Sequence, residues 1–212
     1  MQQGRGLVTQ LERERMQPAA FIARFQGEIV RKSLHLLIAL VPNLAAVNLP
    51  ATITILVIGT LFYSFAESSR LQGTPIPVVS ALTLIASREK DRNGFVLGPV
   101  TLGIGALMSL LLYPLPAASI AIYALAFGDG FASLIGTMMR GPRIPLSRGK
   151  TIAGSLSCFL AVFIVTLSVT SRIWDSLIVA ASAVVLEAIP AGNFDNVFLP
   201  FGVGLIATQI LR

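Results

Sequence analysis

Asp129 is the residue whose placement most needs an explanation. It lies in an otherwise uncharged apolar run, residues 117–139, where a carboxylate costs about 2.5–3.5 kcal/mol even on the lower insertion scales. Such a group either faces a polar cleft, where it can hold a divalent cation or orient an attacking hydroxyl, or is a structural carboxylate bonded to a neighbouring helix. Ala124, Gly128, Ala132 and Gly136 step beside it at four-residue intervals, a ridge of small side chains that lets another helix approach closely. Asp129 and Ser133 fall on the adjacent ridge. The second chemical feature is the segment 140–150, which carries Arg140, Arg143, Arg148 and Lys150 with no acid among them and leads into Thr151. A phosphate fits there, between cationic side chains and the N–H groups of a helix start at Thr151, Gly154 and Ser155. It is no P-loop: the position five residues before Gly149 is Ile144, where that motif needs glycine. The plainer alternative is a basic loop that obeys only topology.

His35, the chain's one histidine, sits a turn inside an apolar run with Arg31 and Lys32 four and three residues before it, so the three can share a helical surface. Arg31 and Lys32 read equally as anchors snorkelling to an interface, whereas a buried imidazole needs a partner. Glu67 and Arg70, three apart, form either a local ion pair or a clamp on a polar headgroup. Glu187, Asp195 and Asn196 gather near the ends of the last two apolar runs. Asp195 and Asn196, followed by Pro200, could be a turn and helix start. Two acids beside a basic segment also suit a metal-bound polyphosphate, because Mg²⁺ takes one or two carboxylates plus phosphate oxygens.

The elements that carry these groups are membrane-like. The 212-residue chain is 54% hydrophobic and only 12% charged, with mean hydropathy +0.79, against roughly 25% charge in soluble domains. Apolar runs cover residues 33–50, 51–66, 75–87, 95–113, 117–139, 152–170, 174–189 and 197–211. They lack the alternation of a membrane barrel, so the expected fold is all-α, a polytopic helical bundle. The run 75–87 has two prolines near its start and Arg88 after its end, which predicts a re-entrant or half-spanning segment. Seven crossings then remain. With the N-terminus cytoplasmic, fourteen of sixteen Lys and Arg fall inside and only Arg172 and Arg212 outside, as positive-inside bias requires. Residues 1–32 are expected to be a cytoplasmic polar lead, its part 19–32 an amphipathic helix on the membrane surface, and 33–212 one transmembrane domain. Tight turns are expected at 48–50 and 114–116.

The net charge of +6 and pI near 10.2 do not point to nucleic acid, since no soluble basic domain exists to hold it; phosphorylated small molecules and anionic headgroups are better partners. The lone Cys158 forbids an intrachain disulfide. No cleavable signal is expected at the polar start of the chain.

Taken in order, these residues resemble the membrane-embedded CTP-dependent lipid kinases, a family comprising dolichol kinases, phytol kinases and CTP-using diacylglycerol kinases, distantly related to phosphatidate cytidylyltransferases. The matching pieces are Arg31-Lys32-Ser33-Leu34-His35, Glu67-Ser68-Ser69-Arg70, the block from Gly128 through Asp129 to Gly136, Lys150-Thr151-Ile152-Ala153-Gly154-Ser155, and Asp195-Asn196 leading to Pro200. The resemblance implies phosphoryl transfer from CTP, with Mg²⁺, to a long-chain isoprenoid alcohol or a similar lipid. Lys150, Arg148, Thr151, Gly154, Ser155 and Asn196 would then meet the phosphates, and Asp129 and Asp195 the metal. Asp129 or His35 would act on the lipid hydroxyl, and Arg31, Lys32, Glu67, Arg70 and Glu187 would line the cleft. One departure stands out: the family usually carries an acid where this chain has Ala153, leaving Glu187 and Asp195 as candidates to replace it. A cytidylyltransferase, a transporter and a non-catalytic scaffold remain alternatives, and a homo-oligomer is left open. Charges collected at one face disfavour transport, which favours a midplane site.

Overall fold

The computed structural model describes residues 27–87, 91, 93–139, 142–144, 147 and 149–211. The lead and most of the expected surface helix therefore lie outside the described residues, as do Arg148 and Arg140. Eight helices are present among the described residues, with no strand beyond one isolated bridge between Arg143 and Thr151. Helix α1 spans Gly27–Val47; residues 27–32 are thus continuous with the first apolar segment. Within it, Pro42 lacks an N–H and its ring crowds the carbonyl four residues back. The helix tightens accordingly to a 3₁₀ turn over Ile38–Leu40 before resuming over Val41–Val47. Asn48 closes the expected turn by accepting the Ala51 N–H at 3.0 Å, which caps α2, Leu49–Leu71.

Helix α3, Pro77–Ala86, reaches about 15 Å, half of a hydrocarbon core, in keeping with a segment that does not cross. Then follow α4, Gly98–Leu112, and α5, Leu115–Met138, whose Ala124–Asp129 stretch is π-helical. Helices α6, Ile152–Thr170, α7, Ile173–Ala188, and α8, Asp195–Ile210, complete the bundle. Four helices, α1, α2, α5 and α6, are long and apolar enough to cross a membrane. The fold is that of a helical membrane protein.

Helix α5 is the centre of the packing, with 56% of its apolar window buried against 11–28% for the other three long helices. The ridge expected from the sequence is the reason. A Cβ added at Gly128 would meet Val162 at 3.0 Å and Cys158 at 3.3 Å, and one at Gly136 would lie 2.9 Å from Thr151. From the other side, a Cβ at Gly154 would lie 2.6 Å from the Ala132 carbonyl. Small residues thus set α5 directly on α6. Large apolar side chains point the other way: Leu61, Phe65, Leu111 and Ile164 are all exposed, the pattern of a surface that meets lipid.

Candidate active site

With α5 fixed on α6 by one ridge, the next ridge carries Asp129 toward α1. There Oδ2 of Asp129 receives the Lys32 ammonium in a direct ion pair, and His35 Nδ1 lies 3.4 Å from the same oxygen. The Lys32 side chain is 5% exposed and that of Asp129 16%, so this is a charge pair largely withdrawn from solvent. His35 Nδ1 makes no hydrogen bond, leaving a buried imidazole aimed at a carboxylate. The π-helical turn ends at Asp129; such wide turns frequently mark functional sites. Lys32, which the sequence presents equally well as a snorkelling anchor, is instead inside the bundle.

A second cluster joins the start of α6 to the end of α7. Lys150 pairs with Glu187 Oε1 at 2.9 Å and also donates to the Glu187 carbonyl. Ser155 Oγ lies 3.4 Å from the other carboxylate oxygen. The segment before α6 folds back on itself: the Ile144 N–H donates to the Lys150 carbonyl at 2.8 Å, and Gly149 turns the chain at φ +101°, where a side chain would be strained. The helix start is less open than its sequence suggests. Thr151 Oγ1 accepts the Gly154 N–H at 3.1 Å, and the Ile152 N–H donates to the Pro142 carbonyl at 3.1 Å. Lys150 is therefore the described group best placed for a phosphate at this point.

The remaining expected site residues are engaged in packing. Glu67, 1% exposed, receives Arg70 through both of its oxygens at 2.7–2.8 Å and accepts the Val96 N–H at 2.8 Å. Arg70 also donates to the Gly94 carbonyl, and the Tyr63 hydroxyl to that of Val96. This local clamp holds the approach to α4 on the last turn of α2, the helix to which Glu67 and Arg70 both belong. Tyr63 and Val96 escaped the sequence reading because an interior tyrosine and a backbone amide carry no charge pattern. Asn196 donates to the Gly98 carbonyl at 3.2 Å and to Thr101 Oγ1 at 3.0 Å, tying α8 to α4. Its own carbonyl, which Pro200 cannot serve with an N–H, approaches Gly105 so closely that a Cβ there would lie 2.0 Å away. Asp195 Oδ1 accepts the Ala191 N–H at 2.8 Å. Arg31 pairs with Glu28 one turn earlier.

Among the described residues no group of three or more His, Cys, Asp or Glu side chains could by itself hold a metal. Mg²⁺ does not need one, since it typically takes one or two carboxylates together with substrate phosphates. Asp129 fits that chemistry, because both of its described contacts fall on Oδ2. Two shallow grooves, one lined by Met108, Phe194, Val197, Phe198 and Phe201 and the other by Phe127, Phe131, Ala161, Ile164 and Val165, are apolar. Neither is lined by any of the charged residues above.

Sequence comparison finds proteins similar to this chain. The chain is 27% identical over 163 residues to a probable chloroplastic phytol kinase of Zea mays, covering 68% of this chain and 54% of that one. A probable chloroplastic phytol kinase 1 of Oryza sativa is 26% identical over 64% of this chain and 49% of its own. The chain is similar to plant proteins named as probable phytol kinases. It spans about half the length of these curated relatives. An uncharacterized protein of Methanocaldococcus jannaschii matches more fully, at 29% identity over 84% of this chain and 92% of that protein. No family model and no solved structure matches the chain.

Proposed function

We propose that this protein is a membrane-embedded lipid kinase that transfers the terminal phosphoryl group of CTP, or of another nucleoside triphosphate, to a long-chain isoprenoid alcohol such as phytol or a polyprenol, or to diacylglycerol. The observation that carries the reading is the buried Lys32–Asp129–His35 cluster between α1 and α5, with α5 packed directly on α6, the helix that Lys150 leads into. Phosphoryl transfer depends on positioning and charge neutralisation, and this arrangement supplies cations, a carboxylate and an imidazole between helices that meet lipid on their outer surfaces. Kinship with proteins named as phytol kinases supports the same class of acceptor.

In the proposed reaction the lipid hydroxyl donates a hydrogen bond to Asp129. Its oxygen bonds to the γ-phosphorus as the bond to the β-phosphate oxygen breaks, the nucleoside diphosphate leaves, and the hydroxyl proton passes to the Asp129–His35 pair. Lys150 meets the transferring phosphate, with Arg148 as a further candidate from the basic segment. Asp129 and Asp195 are the residues that would hold Mg²⁺, which would supply neutralisation of the phosphate charge. Seven crossings, with the N-terminus and the charged ends of the helices on the cytoplasmic side, complete the reading.

The test is to incubate purified protein with γ-labelled CTP or ATP, Mg²⁺ and a panel of lipid alcohols. Label in a lipid monophosphate, with release of nucleoside diphosphate, is the expected result. Release of pyrophosphate would identify a nucleotidyl transfer instead, and no nucleotide consumption with any acceptor would refute the kinase.

A further inference from the structure

We infer that Glu187 is a positioning residue for Lys150: from the end of α7 it pins the ammonium so that one N–H is left directed away from the protein. The inference rests on the proposed kinase reading. An ammonium has three N–H donors. Two are accounted for by one residue, through the Glu187 carboxylate at 2.9 Å and the Glu187 backbone carbonyl. The Lys150 side chain is still 24% exposed, whereas that of Glu187 is 5% exposed, so the acid is fixed in the bundle and the base reaches out from it. A lysine on a loop would otherwise sample many rotamers, and ordering it costs entropy at the moment of reaction. Holding it by two points settles that cost during folding.

The same geometry answers the question raised by Ala153, where the related kinases usually carry an acid. Of the two candidates to replace that acid, Asp195 is engaged by the Ala191 N–H at the start of α8. Glu187 touches both Lys150 and Ser155, the residues on either side of position 153. The carboxylate thus reaches the segment from a different helix. Because Glu187 neutralises Lys150, the lysine acts through the direction of its remaining N–H more than through net charge. Its loss of aim should therefore appear in turnover rather than in nucleotide affinity.

The experiment compares kcat and the nucleotide KM of Glu187→Ala, Glu187→Asp, Glu187→Gln, Lys150→Ala and the double Lys150→Ala/Glu187→Ala variant, per folded molecule. Glu187→Ala is expected to lower kcat by roughly 100-fold, the scale of a misplacement of about 1 Å, with KM changed less than about threefold. Glu187→Asp, which draws the ammonium back by one methylene, should lose about tenfold, while Glu187→Gln keeps an acceptor and should recover most of the activity. The double variant should be no slower than Lys150→Ala, because Glu187 acts only through that lysine. Multiplicative losses in the double variant, or unchanged kcat in Glu187→Asp, overturn the inference while leaving the kinase reading intact. Should Glu187→Ala fail to fold, the Asp and Gln variants still decide it. A wild-type protein that turns over no nucleotide with any lipid overturns the proposed function and this inference together.

Discussion

Replacing Asp129 by asparagine tests the central cluster most directly. Considered alone in a bilayer, loss of an unpaired charge should hold or raise stability, because it removes an insertion cost. The structure reverses that expectation. Lys32 pairs with Asp129 at 5% side-chain exposure, so the substitution leaves a buried ammonium without its carboxylate. Breaking a buried pair from one side costs about 3–5 kcal/mol. At about 2–4 °C per kcal/mol for a chain of this size, the lower figure corresponds to a fall in Tm of roughly 6–12 °C. Lys32→Met alone should cost a similar amount by stranding Asp129. The double variant Lys32→Met/Asp129→Asn, in which neither charge remains, should recover most of the loss, since apolar replacements of whole buried pairs are often neutral. The assay is thermal unfolding in one detergent, with Mg²⁺-dependent lipid phosphorylation measured on the same preparations. Stability should return in the double variant and turnover should not. A double variant as unstable as the sum of the singles, or an Asp129→Asn protein with unchanged Tm, would refute the buried pair. Turnover retained per folded molecule would remove Asp129 from the chemistry.

Lys150→Ala should reduce turnover by a large factor and also lower Tm, because it strands a Glu187 side chain that is 5% exposed; normal kinetics would remove Lys150 from the site. Gly154→Ala should destabilise by about 1–3 kcal/mol, since its Cβ would lie 2.6 Å from the Ala132 carbonyl, whereas Gly94→Ala meets nothing within 4 Å and should unfold like the wild type. Chemical denaturation of the two variants side by side checks the α5–α6 ridge. Single cysteines at Gln72 and Pro142, both exposed, in a Cys158→Ser background should label from the same side of the membrane; labelling from opposite sides would overturn the seven-crossing topology. Ser147 is unsuitable for that purpose because it is buried.

What could be read from the residues alone divides along a physical line. The apolar runs and their turns were legible because length and hydrophobicity suffice to make a helix in lipid: 152–170 matches α6 residue for residue, and Asn48 caps α2 where a turn was expected. The ridge through Gly128 and Gly136 was legible because four-residue spacing fixes a helix face. Partner choice was not. The sequence places Lys32 beside His35, but only the packing of α1 against α5 brings both to an aspartate 97 residues away from Lys32. Glu67 and Arg70 were recognisable as a pair, while their hold on Gly94 and Val96 depends on backbone groups that no side-chain pattern reports. The helix start at Thr151 looked open to an anion because its capping by its own hydroxyl and by the Pro142 carbonyl is a matter of local geometry.

Those pairings bear on how the site can work. Asp129 with Lys32, Glu67 with Arg70 and Glu187 with Lys150 are three acid–base pairs, each neutral as a unit. Each keeps charge in a low-dielectric region affordable only while both members remain together. A nucleoside triphosphate with its metal still carries negative charge, so its long-range attraction cannot come from those pairs. It must come from cations the pairs leave over, and in the sequence these include Arg140, Arg143 and Arg148, in a segment with no acid between 130 and 174. On the proposed function this division would separate capture from chemistry: the arginines of an acid-free stretch of sequence would draw the polyphosphate in, and the balanced pairs would hold the reacting groups in fixed directions. Capture by surface charge weakens with salt whereas oriented contacts between buried groups are screened much less. Raising ionic strength should therefore increase the nucleotide KM while leaving kcat nearly constant. A fall in kcat with an unchanged KM would place the salt-sensitive charges at the reacting phosphate and contradict this division.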